Sequence, residues 1–170
     1  MGVGADLRRY VSQCKPRRAG NSLFAGFCRV GSWAITGGRS LGKGGDMTHL
    51  WVRAEQRPNE ERVGITPEGA AALIKAGIRV TVEKSSVRAI GLDGYEAAGC
   101  EIAAENLWPK APKDAIIFGL KELPEDGTAL THRHIMFGHA YKGQPAGRVL
   151  LQRFKAGGGA LYDLEYLVGE

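Results

Sequence analysis

The chain has 170 residues, 44% of them hydrophobic, and a net charge of +5. That length suits one domain with its own core, and no apolar run approaches the ~18–20 residues that span a bilayer. The charge does not describe a nucleic-acid surface. Residues 1–46 hold eight Lys/Arg against two Asp/Glu, and the remainder holds 15 against 16, with no basic stripe interleaved with aromatics. Cys14, Cys28 and Cys100 are odd in number and scattered, so neither a disulfide framework nor a CxxC metal site is expected, and a reducing, cytoplasmic setting is.

Residues 1–46 contain ten glycines and no sustained period. Their Arg-rich, acid-poor start resembles an organelle transit peptide. No continuous apolar stretch follows to make a secretory signal. The favoured reading is that Met47 is the true start and the segment is upstream DNA read as protein. On each reading the segment is expected to be poorly ordered, and residues 47–170 form the domain.

"THLWVRAE" (48–55) alternates and predicts a strand. "TPEGAAALIKAG" (66–77) predicts a helix, with Thr66 as N-cap, Pro67 in the first position, Glu68 in the first turn and Gly77 after the last. "IRVTVEK" (78–84) is a strand, "DGYEAAG" (93–99) a short helix and "CEIA" (100–103) a short strand. "DAIIFGL" (114–120) is a continuous apolar run, as a buried parallel strand requires. "HIMFGHA" (134–140) is the next strand. "AGRVLLQRFKAGG" (146–158) predicts a helix with Val149, Leu150 and Phe154 on one face and Gly157 as its stop. "ALYDLEYL" (160–167) closes the series. The alternation predicts an α/β fold, a mostly parallel sheet flanked by helices, with ligands beyond the carboxyl ends of the strands. No GxGxxG follows any strand, so the domain is Rossmann-like without the dinucleotide fingerprint.

Charged residues gather at those strand ends. In "RAEQRPNEERVGITP" (53–67), Arg53, Arg57 and Arg62 can each grip a carboxylate, and Glu60 and Glu61 can pair with them. The alternative is a solvated, self-neutralising loop. In "GLKELP", Lys121 and Glu122 follow a buried strand. A lysine there can lose hydration and act as a base, or be an ordinary exposed lysine. "HRHIMFGHAYKG" carries His132, His134, His139 and Lys142. Its H-x-H spacing suits a metal on a strand, but no further ligands are arranged around it, and no metal is expected. His139 and Lys142 share a sheet edge with Lys121 if the strands are parallel. "LYDLEYL" adds Asp163 and Glu165.

"RAEQRPNEERVGITPEG", "IIFGLKELPEDG", "HIMFGHAYKGQ" and "LLQRFKAGGGALYDLEYL", in that order and at those distances, resemble the N-terminal part of the NAD-dependent, lysine-forming saccharopine dehydrogenases, within the wider alanine dehydrogenase/transhydrogenase group. The likeness runs from Thr48 to about Leu167. The resemblance implies oxidative cleavage of saccharopine to lysine and 2-oxoglutarate. It implies that Lys121 deprotonates the amine and that His139 is the acid/base group for the imine and carbinolamine steps. Glu122 and Glu165 tune those two, Arg62 binds substrate, and Lys142 lies near the site. Arg57 stands where the family can carry Lys. His132 and His134 are then expected to be supporting or surface residues. The implied partner is an amino-acid-type small molecule, with neither nucleic acid nor membrane.

NAD is the implied cofactor, with no binding residues in this chain. The family continues into an NAD-binding domain, so the chain is expected to be a fragment, inactive alone unless a separate polypeptide supplies that domain. The alternatives are the corresponding domain of an alanine dehydrogenase or transhydrogenase, and a non-catalytic domain that binds an amino acid or a partner.

Overall fold

The structure, a computed structural model, describes residues 47–166. The reading of residues 1–46 lies outside the described residues, as does Leu167 at the end of the last predicted element. Six strands, β1 (His49–Val52), β2 (Arg79–Glu83), β3 (Glu101–Ala103), β4 (Ile116–Phe118), β5 (Arg133–Met136) and β6 (Ala160–Asp163), form one sheet. Its order is β3-β2-β1-β4-β5-β6, and every pairing is parallel. This is the Rossmann-like α/β architecture predicted from the alternation. Among the described residues, three α-helices, α1 (Pro67–Lys75), α2 (Asp93–Ala97) and α3 (Pro145–Gly157), and short 3-10 turns at Trp108–Lys110 and Leu164–Tyr166 accompany it. No described helix is long and apolar enough to cross a membrane.

Strand register sorts the side chains into two layers. Leu50, Val80 and Ile116 are level across β1, β2 and β4, as are Val52, Val82 and Phe118. Helix α1 packs on β2 and α2, and Tyr95 of α2 donates to the Ile65 carbonyl at 2.6 Å. Trp51, Ile117 and Met136 belong to a second cluster with Trp108, Leu130, Leu150 and Phe154. Ile117 is fully buried, and cutting such a side chain to Ala costs about 2–5 kcal/mol.

Helix α1 is punctuated as expected. The Thr66 hydroxyl accepts from Gly69 N at 3.3 Å, Pro67 opens the helix, and Gly77 takes the left-handed φ of +83°. Helix α3 departs from expectation. Its inward residues are Gly147, Leu150, Arg153 and Phe154, spaced i, i+3, i+6 and i+7, while Val149 is partly exposed. The aliphatic stem of Arg153 takes the inward place, because its guanidinium reaches the Thr128 and Pro124 carbonyls at 2.7 and 2.6 Å. The left-handed stop is Gly158 (φ +75°). Gly157 lies within the helix, where a Cβ would come within 2.2 Å of the Leu130 carbonyl oxygen.

At the start of β5 the structure decides between the two places expected for His132 and His134, supporting or surface: both are buried. His134 meets Trp108 and Phe154 edge to face, with ring centroids at 5.2 and 5.3 Å. Neither of its ring nitrogens has a partner. Burial first, then the charges of Arg53, His132 and Arg153, push its pKa down to about 3, so it is a neutral core side chain.

Candidate functional site

The strands end earlier than their apolar patterns, and the residues that leave the ladder build the site. At the exit of β1, Arg53 is buried. Its guanidinium donates to the Ala54 carbonyl at 3.0 Å, to Glu55 at 3.3 Å and to the Lys121 carbonyl. Burial pulls its pKa down and Glu55 opposes that pull. The two Arg53 amino groups, which the sequence allowed to grip a ligand carboxylate, are thus taken by two backbone carbonyls and the Glu55 carboxylate. The Glu55 carboxylate accepts from Leu120 N at 2.6 Å and Lys121 N at 3.0 Å, at the exit of β4.

Further along the same loop, Glu60 holds Arg62 in a two-pronged contact at 2.7 and 2.6 Å. The Arg62 hydrogen bonds lower the Glu60 pKa to about 2, and the Lys121 charge contributes. Lys121, half-buried, thus lies within electrostatic reach of Glu60. Arg57 pairs with Glu122 at 2.9 Å, with both side chains about half exposed; such solvent-accessible pairs contribute about 0–1 kcal/mol. A cavity with about 10 Å³ of free space, room for one water, is lined by Glu55, Glu60, Arg62, Arg88 and Gly119 among others. A larger cavity of about 180 Å³ lies between Trp108, Asp126, His132 and Arg153. It contains none of the residues singled out as catalytic.

At the exit of β5, His139 adopts φ +47°, uncommon for a residue with a Cβ. On either side of it, Gly138 N and Ala140 N each donate to Asp163 at 3.1 Å. His139 Nδ1 lies 2.9 Å from Glu165 Oε1, and Lys142 Nζ contacts the same oxygen. Lys142 first, then His139, lowers the Glu165 pKa, and Glu165 raises that of Lys142. An Nδ1 facing a carboxylate carries the ring proton there, leaving Nε2 free to exchange protons. Tyr141 and Tyr166, both exposed, meet edge to face beside this group.

The β4 and β5 exits are adjacent. Gly119 N donates to Ile135 O at 3.1 Å and Phe137 N to Leu120 O at 2.9 Å. Lys121 and His139 therefore leave the same sheet edge on neighbouring strands. The direction of strand order reverses between β1 and β4, the place where open α/β sheets bind ligands. The structure gathers Arg62 with Glu60, Arg57 with Glu122, and His139 and Lys142 with Glu165. Sequence reasoning missed Glu55 altogether and gave Asp163 no task. Their signal is a carboxylate at a strand exit, but their partners lie on other strands.

Residues 51–170 match the family described as alanine dehydrogenase/PNT, N-terminal domain. The chain belongs to that family. Within it, the chain is 52% identical to the Schizosaccharomyces pombe saccharopine dehydrogenase [NAD(+), L-lysine-forming] over 120 residues, 70% of this chain and 33% of the relative. It is 48% identical to the Candida albicans enzyme of the same name over 119 residues, 69% and 31% of the two chains. The alanine dehydrogenase of Bacillus subtilis is 42% identical over 81 residues, 45% of this chain and 21% of that one. This member of the alanine dehydrogenase/PNT N-terminal family thus spans about a third of the length of the saccharopine dehydrogenases it matches. Its fold is similar to that of the transhydrogenase from Sinorhizobium meliloti, at a TM-score of 0.56 and 20% identity over 72% of this chain and 36% of that one.

Proposed function

We propose that residues 47–170 are the N-terminal catalytic domain of a saccharopine dehydrogenase, and that they supply its proton transfers and carboxylate recognition. The observation that carries this reading is the placement of "FGLKELP" and "FGHAYK" at adjacent exits of one parallel sheet, with His139 on Glu165. Lys121 takes the proton of the secondary amine, freeing the nitrogen lone pair that helps expel hydride. His139 Nε2 takes a proton from the water that adds to the resulting imine, then returns one to the departing amine. Glu165 holds the ring in the tautomer this requires, and Lys142 keeps Glu165 ionised. Arg62, exposed beyond Glu60, and Arg57, paired with Glu122, offer forks for the substrate's carboxylates.

NAD, named in the relatives, accepts the hydride in such a reaction. The β1 exit has Gly64 as its one glycine between residues 53 and 66 and offers no glycine-rich cradle for a pyrophosphate. These residues do not fit the dinucleotide, which must be held by others.

The test is a graft of residues 47–170 into the S. pombe enzyme in place of its matching third, followed by NADH formation from saccharopine and from alanine. Turnover of saccharopine, slowed about 10²–10⁴-fold by Lys121→Met and by His139→Gln, is the expected result. Turnover of alanine and not saccharopine refutes the substrate. Full rates in both variants refute the assigned roles.

A further inference from the structure

Two carboxylates at this edge make the same kind of contact. Glu55, just past β1, accepts from Leu120 N and Lys121 N on the exit of the neighbouring β4. Asp163, ending β6, accepts from Gly138 N and Ala140 N on the exit of the neighbouring β5. In each case two N–H groups that have left the ladder are gathered by one charge, the stronger class of hydrogen bond. In the first case one of the N–H groups is Lys121's own, and in the second the two flank His139. Arg53 adds to the first by taking the Lys121 carbonyl, so that residue's peptide groups are held on both sides. Met136 pairs with Asp163 in the ladder, which fixes the carboxylate beside the turn where His139 takes its left-handed φ. A third buried carboxylate gives the contrast. Glu83 accepts from Trp51 Nε1, Ala54 N, Asn106 N and Trp108 N, and none of those donors belongs to or adjoins Lys121 or His139.

We propose that Glu55 and Asp163 are positioning residues, a pair of backbone clamps that present Lys121 and His139 from adjacent strand exits. The proposal rests on the reading of those two as proton-transfer groups. The clamps act on the main chain, so the side chains stay free to move protons while their Cα atoms are fixed. Asp163 also accepts from Glu165 N at 3.2 Å, so it sets both the imidazole and the carboxylate it leans on.

The experiment uses the ¹⁵N-labelled 170-residue chain and its Glu55→Gln, Asp163→Asn and Glu83→Gln variants. Asp163→Asn is expected to speed amide exchange at Gly138 and Ala140 about tenfold or more. It should also move the His139 ring ¹⁵N signals toward the tautomer mixture of free imidazole, read where the ring is neutral. Glu55→Gln should speed exchange at Leu120 and Lys121 and leave the His139 ring signals in place. Glu83→Gln should single out none of these four amides. Uniform acceleration across the sheet in all three variants, or an unmoved His139 ring in Asp163→Asn, overturns the proposal. If Asp163→Asn does not fold, His139→Gly and His139→Ala serve instead. A backbone clamped left-handed makes the Gly variant melt several degrees above the Ala variant, and equal melting overturns the clamp. None of these readouts needs turnover, so an inactive graft would refute the reaction and leave the clamps standing.

Discussion

His134 makes the stability of this domain depend on pH in a way that can be isolated. The ring is buried, meets Trp108 and Phe154 at its edges, and has no partner for either nitrogen. Its folded pKa is about 3, against about 6.5 for a histidine in an unfolded chain. The unfolded state therefore binds a proton that the folded state refuses. Stability is full above the unfolded value and is lost as pH falls from about 6.5 toward 3. At pH 5 the unfolded chain is favoured by RT ln(1 + 10^1.5), about 2 kcal/mol, whereas near pH 7 the effect is about 0.2 kcal/mol. His134→Leu removes the titrating group and keeps a side chain of similar bulk. Near neutral pH the change is expected to stay within about 1–2 kcal/mol. Lost aromatic edges, about 0.5–1.5 kcal/mol each, are offset by removal of an unsatisfied polar ring. Urea denaturation followed by circular dichroism at both pH values is the assay. The wild type should lose about 2 kcal/mol more than His134→Leu on going from pH 7 to pH 5. Parallel losses in the two proteins would refute a neutral, unpartnered ring in the core.

Glu83→Gln should cost about 2–4 kcal/mol in the same urea assay. One amide oxygen replaces a carboxylate that satisfies four N–H donors, and the new NH₂ faces donors. Gly157→Ala should cost at least about 1–3 kcal/mol by thermal melting, because the methyl would overlap the Leu130 carbonyl; an unchanged midpoint would mean that α3 does not approach Leu130 so closely.

Helix α1 was legible because its signals are local: Thr66, Pro67 and Gly77 act within one turn of themselves. The run 114–120 was legible as a buried parallel strand because both of its faces are covered, and the sheet around it follows from the βα alternation. The face of α3 was misjudged because Arg153 reads as a polar residue, although its stem is buried and its head reaches carbonyls. Whether His132 and His134 support the core or face solvent stayed open for the complementary reason. A histidine at a strand gives no sign of which neighbours cover it, and the aromatic edges that cover His134, from Trp108 and Phe154, arrive from elsewhere in the chain. The residues of the candidate site were picked out by charge at predicted strand exits, and the family likeness supplied their roles. What neither route revealed is Glu55, whose acceptor role is visible only when β1 and β4, some 65 residues apart, lie side by side.

The strand order also has a consequence during synthesis. β1 is central, yet one of its edges waits for β4, and Leu50 meets Ile116 only after β2 and β3 have already been made. At ribosomal speeds of ~5–20 residues per second, that interval lasts about 3–13 s. Through it β1 keeps one flank open, at first alone and by the end within a β1–β2–β3 half, and Arg53 and Glu55 have no peptide groups of 120 and 121 to hold. Lys121 is anchored before His139 exists, and His139 waits in turn for Asp163, 23 to 25 residues later. The carboxyl edge of the sheet is thus completed from the centre outward, one carboxylate at a time, and a ribosome that stalls before residue 116 leaves a sticky half-sheet for a chaperone to cover.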